Sequence, residues 1–366
     1  MTNTNTVLNP IPMRTWRWLG VNETKLVGEI PFGKIGNYNK KVLQDDRAAI
    51  VPIAQMPKEL AVYAAKADAA VSEETSRLAE TENNSGYYIE IPAGEKLAAP
   101  IELKYELDQE NPTLVDRHFI AARKGSESTI LISYTGDASE AFHNGLTRVY
   151  AEAGSIVHLI KLQLLGDTAV HIDAVSTYAE KDAKIEFTTI ELGAAESITS
   201  LKTNLAGDQS TADIQSIYFG DGKRKIDMNY VLRHEGKQTD GSMQVHGALL
   251  DHSSKTFRGT LDFIKGTKGS VGREAEEIVL LSPSVRNRSV PLMLAGEDDV
   301  DGHHAVSVGK MNEEKLFYLM SRGLSLRDAE KLVIEASFQP ALDRLPDAGI
   351  KEQISEYIRR RLAHVE

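Results

Sequence analysis

The sequence predicts a mainly β protein with a stacked β-solenoid core, and three observations predict it. Between Gly86 and Gly309, short runs alternate β-branched or aromatic residues with polar ones, and Gly, Asp, Asn and Ser separate the runs. A turn followed by a β-branched run recurs from Ala121, Ala151 and Ala179, which favours coils that bury their faces against one another. After Gly309 the apolar spacing becomes helical. A β-sandwich remains the alternative, although it gives no reason for the repeat.

These patterns divide the chain into a partly helical N-terminal region at 1–83, a β core at 84–309 and a helical module at 310–366. In the N-terminal region, good helix formers without an intervening Gly or Pro predict a helix from about Lys58 to Ala79. The segment that follows it, up to Gly86, contains the residues that break helices.

The C-terminal module reads as three amphipathic helices. Asn312 is the expected N-cap of the first, which ends at 321–323 and carries Leu316, Leu319 and Met320 on one face. Ser325 and Asp328 resemble a capping box for the second, which carries Leu332, Val333 and Ala336 and ends near Pro340.

The third helix has apolar residues at a spacing of four, and three consecutive arginines, 359–361, lie mostly off this stripe. The stripe consists of Ile350, Ile354, Ile358 and Leu362. It either packs on the end of the β core or offers a docking face, and the sequence leaves both open.

Composition excludes several classes of function. The 366 residues are 41% hydrophobic and 26% charged, and the net charge of −11 disfavours nucleic acid and anionic membranes as partners. The chain has no cysteine, which excludes disulfides and any cysteine-based zinc or iron–sulfur site made by this chain alone. We expect a cytosolic protein, because the sequence contains neither a secretory signal pattern nor an apolar run long enough for a membrane helix.

The segment EDDVDGHHAVSVGK, 297–310, is the most conspicuous motif. As a calcium loop it fails, because the twelfth position is Val308 where a bidentate carboxylate is needed. In a strand, His303 and His304 point to opposite faces, so the two cannot hold one ion together. His304 shares its face with Val306 and Val308, which favours a core or interface histidine over a metal ligand.

Other motifs carry no chemistry on their own. The remaining histidines form neither HExxH nor HxxEH spacing, and we assign 246–252 a role in stabilising the fold. The glycine-rich segment 266–273 lacks the Lys–Ser pair of a P-loop and is interpreted as a turn. No GxSxG nucleophile motif is present.

Two C-terminal segments resemble a known signature. SSKTFRGTLDF, 253–263, and the stretch from LLSPSV to IEASF, 280–338, are similar to the segment shared by the SufB/SufD family, the scaffold proteins of bacterial Suf iron–sulfur cluster assembly. The order S-K-T-x-F-R-G appears here as S-K-T-F-R-G, followed by D-D-V, H-x-x-x-V-G and L-F-Y-L-x-S-R-G.

This resemblance implies a right-handed parallel β-helix between a helical N-terminal part and a C-terminal helical module. It implies a non-catalytic scaffold that pairs with SufB through the end of the β-helix and docks the ABC-type ATPase SufC, where ATP is hydrolysed, through the C-terminal helices. A homodimer in isolation is the alternative to the pair with SufB, and the sequence leaves both open. The implied cargo is a transient iron–sulfur cluster at the SufB interface, and a flavin in the complex is a further expectation.

The resemblance also suggests site residues. His304 matches the histidine of the family's C-S-H-G-A-T-V-G run, whereas Gly302 stands in place of its cysteine and His303 in place of its serine. A chain without cysteine is closer to the SufD branch, so His304 is the candidate ligand and the partner has to supply sulfur. The expected contacts with SufC lie in the helical signature, at Leu316, Phe317, Tyr318, Arg322 and Gly323.

A carbohydrate-active enzyme is the alternative function, because parallel β-helices also house polysaccharide lyases and hydrolases. Such an enzyme needs clustered carboxylates or basic residues on an exposed strand face of the middle coils. The sequence contains no such clustered alternation there.

Overall fold

The structure is a computed structural model that describes residues 6–12, 17–26, 29–43, 50–68, 71–311 and 313–362. Two parallel sheets dominate it, and successive strands of the core alternate between them. The strands are β1 (Val7–Leu8), β2 (Thr24–Lys25), β3 (Ile50–Pro52), β4 (Tyr87–Ile91), β5 (Ile101–Glu106), β6 (Thr113–Ala122), β7 (Glu127–Gly136), β8 (Phe142–Ala151), β9 (Ile156–Leu165), β10 (Val170–Ala179), β11 (Lys184–Glu191), β12 (Glu196–Leu205), β13 (Thr211–Gly220), β14 (Lys225–His234), β15 (Asp240–Leu249), β16 (Ser254–Phe263), β17 (Ser270–Leu280), β18 (Arg286–Ala295) and β19 (Val300–Gly309). One sheet has the order β18-β16-β14-β12-β10-β8-β6-β4-β3, and the other has the order β19-β17-β15-β13-β11-β9-β7-β5. The predicted parallel β-helix is confirmed, and the β-sandwich alternative is wrong.

The register explains the repeat seen in the sequence. Ala151 pairs with Ala179 in the neighbouring coil, while its partner on the other side is Ala122 rather than Ala121. Each coil turns a corner through a residue with positive φ, which is glycine at Gly125 and Gly154 but aspartate at Asp182 (φ +57°). The amide of each corner donates to a carbonyl of the next coil, so the corners stack as the strands do.

Side chains that alternate along every strand fill the lumen, the space between the two sheets. Their apolar members form one continuous core from Ile89 and Leu103 in the first coils to Phe263 and Ile278 in the last ones. The opposite faces of both sheets are covered over the middle coils, one by N-terminal elements and the other by C-terminal helices.

The N-terminal region is less regular than the sequence predicts. In place of one helix from Lys58 to Ala79, it has a 3-10 turn at Lys58–Leu60, α1 at Ala61–Lys66 and α2 at Glu73–Thr81, after further 3-10 turns at Arg17–Leu19 and Ile53–Gln55. The single-helix prediction is wrong because Ser72, in an extended conformation, caps a new helix: its Oγ accepts from the amide of Thr75 at 3.1 Å. This break lets α2 lie against β6 and β8.

The C-terminal helices are α3 (Glu313–Ser321), α4 (Leu326–Leu342) and α5 (Ala348–Leu362). The proposed Asn312 cap lies outside the described residues, and Pro340 lies inside α4 rather than at its end. Of the predicted apolar face of α4, Val333 packs against the buried cluster, whereas the prediction is wrong for Leu332 and Ala336, which are exposed. Ile334 and Phe338 are instead buried against the outer face of the sheet that contains β7 to β15.

The α5 stripe packs on that same sheet face, along the side of the β core rather than on its end, so it is not free as a docking face. Its buried residues, Ile350, Ile354, Ile358 and Leu362, contact the outward-facing apolar residues of the strands. The hydroxyl of Tyr357 also donates to the carbonyl of Leu192 at 3.1 Å. Within the described ranges, no helix is both long and apolar enough to span a membrane.

Candidate functional site

The open end of the β-helix is formed by its last coil, β18 and β19. These ten-residue strands are the last members of their sheets, so each has one edge without a strand partner among the described residues. Met293, Val306 and Val308 belong to the lumen-facing set but are 42%, 41% and 46% exposed, because no further coil lies on them. This end therefore presents apolar side chains and unpaired backbone groups together.

His304 lies in this open end. It is on β19, directly opposite Glu274 on β17, and its Nδ1 is 2.5 Å from Glu274 Oε2. The His304 side chain is 18% exposed and that of Glu274 only 1%. Nε2 of His304 is buried and has no hydrogen-bond partner among the described residues. A histidine held through Nδ1 keeps Nε2 available, which is the usual arrangement of a metal-binding imidazole.

One glycine makes room for this pair, and a second glycine on the same strand as His304 lies against Met293. A Cβ on Gly259, which lies across the lumen on β16, would be 2.3 Å from Glu274 Oε1. A Cβ on Gly302 would be 2.7 Å from Cε of Met293, so the position that holds cysteine in the family's run is here covered by a methionine. A side chain at the glycine of the SKTFRG signature would thus displace the carboxylate of Glu274 from its place beside His304.

A buried ion pair lies deeper in the same part of the lumen. Lys255 contacts Glu276 through Nζ, and this Nζ also donates to Ser289 Oγ at 3.2 Å. Both side chains are fully buried. Burial lowers the pKa of Lys255, against the opposing effect of Glu276. The lysine of the SKTFRG signature therefore points into the lumen. The arginine of the signature, Arg258, points away from the lumen but is buried, and it pairs with Asp227 at 2.6 Å.

The acidic residues before His304 do not converge on a common point. Glu297 stabilises a corner, with Oε2 accepting from the amide of Gly266 at 3.0 Å. Hydrogen bonds from Gly266 and neighbouring amides lower the pKa of Glu297. Asp301 points outward and its Oδ1 is 2.9 Å from Nε2 of the exposed His303. The two adjacent histidines therefore occupy opposite faces, and His304 alone enters the lumen.

Helix α3 forms a second exposed surface, which differs from the open end because it is part of the helical module. Phe317 and Tyr318 are 75% and 57% exposed, and Leu316 is half-buried against the helical module. The guanidinium of Arg322 lies 5.3 Å from the centre of the Tyr318 ring, and Gly323 ends this segment with a φ of +99°. The five residues proposed as partner contacts therefore lie close together along the chain, and two large ones face solvent.

A polar cluster fills the lumen of the first coils, and the sequence analysis missed it. Asp116 accepts from Nε2 of His118 and of His143, both at 2.7 Å, and from the hydroxyl of Tyr134 at 2.9 Å. Burial opposes ionisation of Asp116, yet His143 and His118 hold its pKa well below its ordinary value. Burial, His143 and Lys161 lower the pKa of His171, whose Nδ1 is 2.8 Å from that of His143. The cluster is sealed from solvent, so it serves the fold rather than a ligand.

Glu274 is the functional candidate that sequence reasoning missed. In the strand GREAEEI, Glu274 and Glu276 share their parity with Gly272 and Ile278, whereas Arg273 and Glu277 fall on the other face. That parity was available in the sequence and predicts two inward carboxylates. Their partners were not available, because His304 is 30 residues from Glu274 along the chain.

Across the described ranges, no group of three or more His, Asp or Glu side chains is arranged to hold a metal ion. The open end supplies one imidazole and, behind it, one carboxylate. An iron atom at Nε2 of His304 would therefore need its other donors from a second molecule.

Comparison with known proteins shows which proteins this chain is similar to. The family model described as "SUF system FeS cluster assembly, SufBD core domain" matches residues 105–337. The iron–sulfur cluster assembly protein SufD of Bacillus subtilis is 27% identical over 282 residues, 76% of this chain and 64% of the relative. SufD of Escherichia coli is 26% identical over 302 residues, 81% and 71% of the two chains.

An iron–sulfur cluster assembly SufBD family protein of Pyrococcus horikoshii is 25% identical over 266 residues, 72% of this chain and 59% of the relative. The match thus spans less than two thirds of the length of the Bacillus and Pyrococcus relatives. The match to the family model includes α3, most of α4 and the coils from β6 to β19.

Proposed function

This chain belongs to the SufBD family, and from that premise we propose that it is a scaffold subunit for iron–sulfur cluster assembly, similar to SufD. In this proposal the cluster is cargo rather than a resident cofactor. The chain pairs with a SufB-type protein and docks a SufC-type ATPase, and ATP hydrolysis takes place in that ATPase.

The open end of the β-helix is the observation that carries the proposal. Exposed Val306 and Val308 lie on the same strand as the inward His304, exposed Met293 lies on the other strand of the last coil, and the edges of β18 and β19 have no strand partner among the described residues. A β-helix whose own chain leaves one end uncovered exposes a template for another sheet. We therefore propose that a SufB-type β-helix packs on this end, with a second copy of this chain as the occupant when SufB is missing.

His304 is the proposed ligand from this chain. Iron–sulfur species prefer thiolate donors, which this chain lacks, so the partner has to provide cysteine. Protons compete with iron for an imidazole, and an imidazole binds iron more weakly than a full set of thiolates does. A mixed set of donors at an interface suits a cluster that is built and then released.

Helix α3 is the proposed docking surface for the ATPase. Its exposed aromatic residues Phe317 and Tyr318 have the character of interface anchors, while α4 and α5 are already used in packing on the β-helix. Movement of α3 with the ATPase would be transmitted through its contacts with α4. This arrangement assigns force generation to the partner and leaves this chain without a catalytic group.

The carbohydrate-active alternative finds less support. A lyase or hydrolase on a β-helix uses a groove along the middle coils, and here both outer faces of those coils are covered by packed elements. Of the carboxylates in that region, Glu191 and Asp173 point into the sealed lumen, and the outward Asp213 is paired with Arg344 of the helical module at 2.6 Å.

The test of the proposed function begins with co-expression of the full chain with SufB-type and SufC-type proteins, followed by anaerobic cluster reconstitution. We expect a stable complex, and we expect His304→Ala to leave complex formation unchanged while reducing cluster yield. His303→Ala is the matched control, because His303 lies on the same strand but faces solvent. Failure of the chain to bind either partner would refute the scaffold role, and an unchanged yield in His304→Ala would refute the ligand role.

A further inference from the structure

We propose that Glu274 is the positioning residue for His304: its buried carboxylate accepts the Nδ1–H, so that Nε2 carries the lone pair that binds iron. This inference rests on the proposed function and adds to it the residue that fixes the tautomer and direction of the ligand. Nothing in the SKTFRG or HH motifs points to Glu274.

The geometry of the pair is determined by the fold. Parallel pairing of β17 with β19 places Glu274 and His304 directly opposite each other, and both side chains face the lumen. The 2.5 Å separation of Oε2 and Nδ1 is that of a strong hydrogen bond to a carboxylate. Gly259 across the lumen leaves room for the carboxylate, since a Cβ there would be 2.3 Å from Oε1.

The second observation is the orphaned nitrogen. Nε2 of His304 is buried and finds no hydrogen-bond partner among the described residues. Nε2 of His171 and of His234 are also buried without a hydrogen-bond partner among the described residues, but they lie in inner coils, whereas Nε2 of His304 lies in the last coil, where a second molecule can supply its partner. Because Nε2 is covered in the isolated chain, iron reaches it only after the open end adjusts to a partner, so we expect negligible Fe²⁺ binding by the chain alone.

The charges around the pair favour a positive ligand. Glu274 and Glu276 are both buried, and among the described residues the ammonium group in direct contact with them is that of Lys255, through Glu276. Within the same residues, the side chain that hydrogen-bonds to the carboxylate of Glu274 is His304. An iron ion bound to Nε2 would compensate this charge through the imidazole, as in carboxylate–histidine–metal arrangements.

The first experiment measures the tautomer without any partner. In the full chain labelled with ¹⁵N-histidine, two-bond ¹H–¹⁵N spectra distinguish protonated from lone-pair nitrogens, and His304→Ala identifies the signals. We expect Nδ1 protonated and Nε2 unprotonated in the wild type. Glu274→Leu should lose this fixed tautomer, Glu274→Gln should retain part of it through its acceptor oxygen, and Glu277→Gln, outward on the same strand, should retain all of it.

The second experiment measures cluster yield in the assembled complex. Loss of a carboxylate that orients a metal-binding histidine typically costs about tenfold to a hundredfold in metal affinity, so we expect a loss of this size in Glu274→Leu and a smaller one in Glu274→Gln. A purely structural ion pair predicts equal losses in both variants, because both remove the charge. Unfolding curves of both variants show whether a loss of yield reflects a loss of fold.

Opposite results overturn the inference. A wild-type spectrum with Nε2 protonated and Nδ1 free would contradict it, as would a normal yield in Glu274→Leu when His304→Ala lowers the yield. If His304→Ala itself leaves the yield unchanged, the proposed ligand role fails instead, and the spectrum of the isolated chain still decides whether Glu274 fixes the ring.

Discussion

The two ends of the β-helix differ in whether the described residues cover them. At the start, Val42 accepts a hydrogen bond from the amide of Lys104, Leu43 bridges to Leu103, and Ile50 pairs with Ile89, so the N-terminal region closes the first coils. At the finish, Val306 and Val308 remain exposed. The described residues thus cover one end of the β-helix and leave the other uncovered, and the proposed pairing with a second molecule rests on this difference.

The polar contents of the lumen differ in the same way. Around Asp116, each of the groups it contacts is satisfied inside the protein and sealed from solvent. Around His304, one nitrogen is bound and the other is not. The Asp116 cluster also contains a nitrogen without a hydrogen-bond partner, Nε2 of His171, so what distinguishes His304 is its place in the uncovered last coil, where a partner can complete its set of hydrogen bonds or ligands.

The largest expected effect is on stability, and it comes from comparing an aspartate placed at the closed end of the β-helix with an aspartate placed at the open end. Val42→Asp buries a carboxylate in the core, where Val42 is 2% exposed, and we expect a loss of about 3–5 kcal/mol in the free energy of unfolding. Val308→Asp changes a residue that is already half exposed, and we expect a change within about 0.5 kcal/mol. Urea unfolding followed by circular dichroism measures both.

The pair of variants also tests what the open end is for. Val308→Asp should weaken association with the SufB-type partner, because it introduces a charge into the proposed apolar contact. Equal destabilisation by the two aspartates would show that the ends are alike, and unchanged association of Val308→Asp would exclude this surface as the interface.

A middle-sized effect concerns the sealed part of the lumen. Burial, opposed by the Ser197 hydroxyl and reinforced by Asp173, raises the pKa of Glu191 from 4.5 to about 7. The folded state therefore binds a proton more tightly than the unfolded state, so the contribution of Glu191 to stability is fully present below pH 4.5 and is lost as the pH rises to 7. Glu191→Gln should remove this loss and be about 2–3 kcal/mol more stable than the wild type at pH 8.

The measurement is the free energy of unfolding of both proteins between pH 4 and 8. His234, whose pKa is lowered to about 4 by burial, adds a pH dependence of the opposite sign, but it is common to both proteins and cancels in the difference. A difference that does not grow between pH 4.5 and 7 would contradict the assignment of Glu191.

The smallest effect on stability belongs to α3. Phe317→Ser should change the free energy of unfolding by less than about 0.5 kcal/mol, because the side chain is largely exposed. Its affinity for the SufC-type ATPase, measured by calorimetry, should fall at least about tenfold if Phe317 is an interface anchor. Val62→Ser, an exposed apolar residue on α1, is the matched control. Equal affinities of wild type and Phe317→Ser would remove α3 from the proposed docking surface.

The sequence was sufficient for features that depend on local pattern. Period-two alternation located the strands, the recurrence from Ala151 to Ala179 indicated stacked coils, and Ser325 marked the start of α4 through its Oγ, which accepts from the amide of Asp328. Alternation also separated His303 from His304. In each case the cause lies within a few residues or in a repeat, so it can be read from the chain alone.

The same reasoning failed where distant packing decides the outcome. The helix predicted from Lys58 to Ala79 is broken because α2 has to lie on the β-helix, and the buried face of α4 is set by the sheet rather than by the strongest apolar stripe. Helix propensity contributes less than one kilocalorie per residue, so tertiary contacts override it.

By itself, then, the sequence determined that the chain has no thiols, favoured a β-solenoid that the family resemblance specified as a parallel β-helix, and separated His304 from His303 by strand face near the last coil. The tertiary structure alone decided that this coil is left open, that Glu274 from the preceding coil binds His304, and that Gly259 from the opposite sheet makes room for it. The reason is physical: each of these features depends on register between coils, which places residues about one coil apart in contact and is fixed only when the sheets assemble.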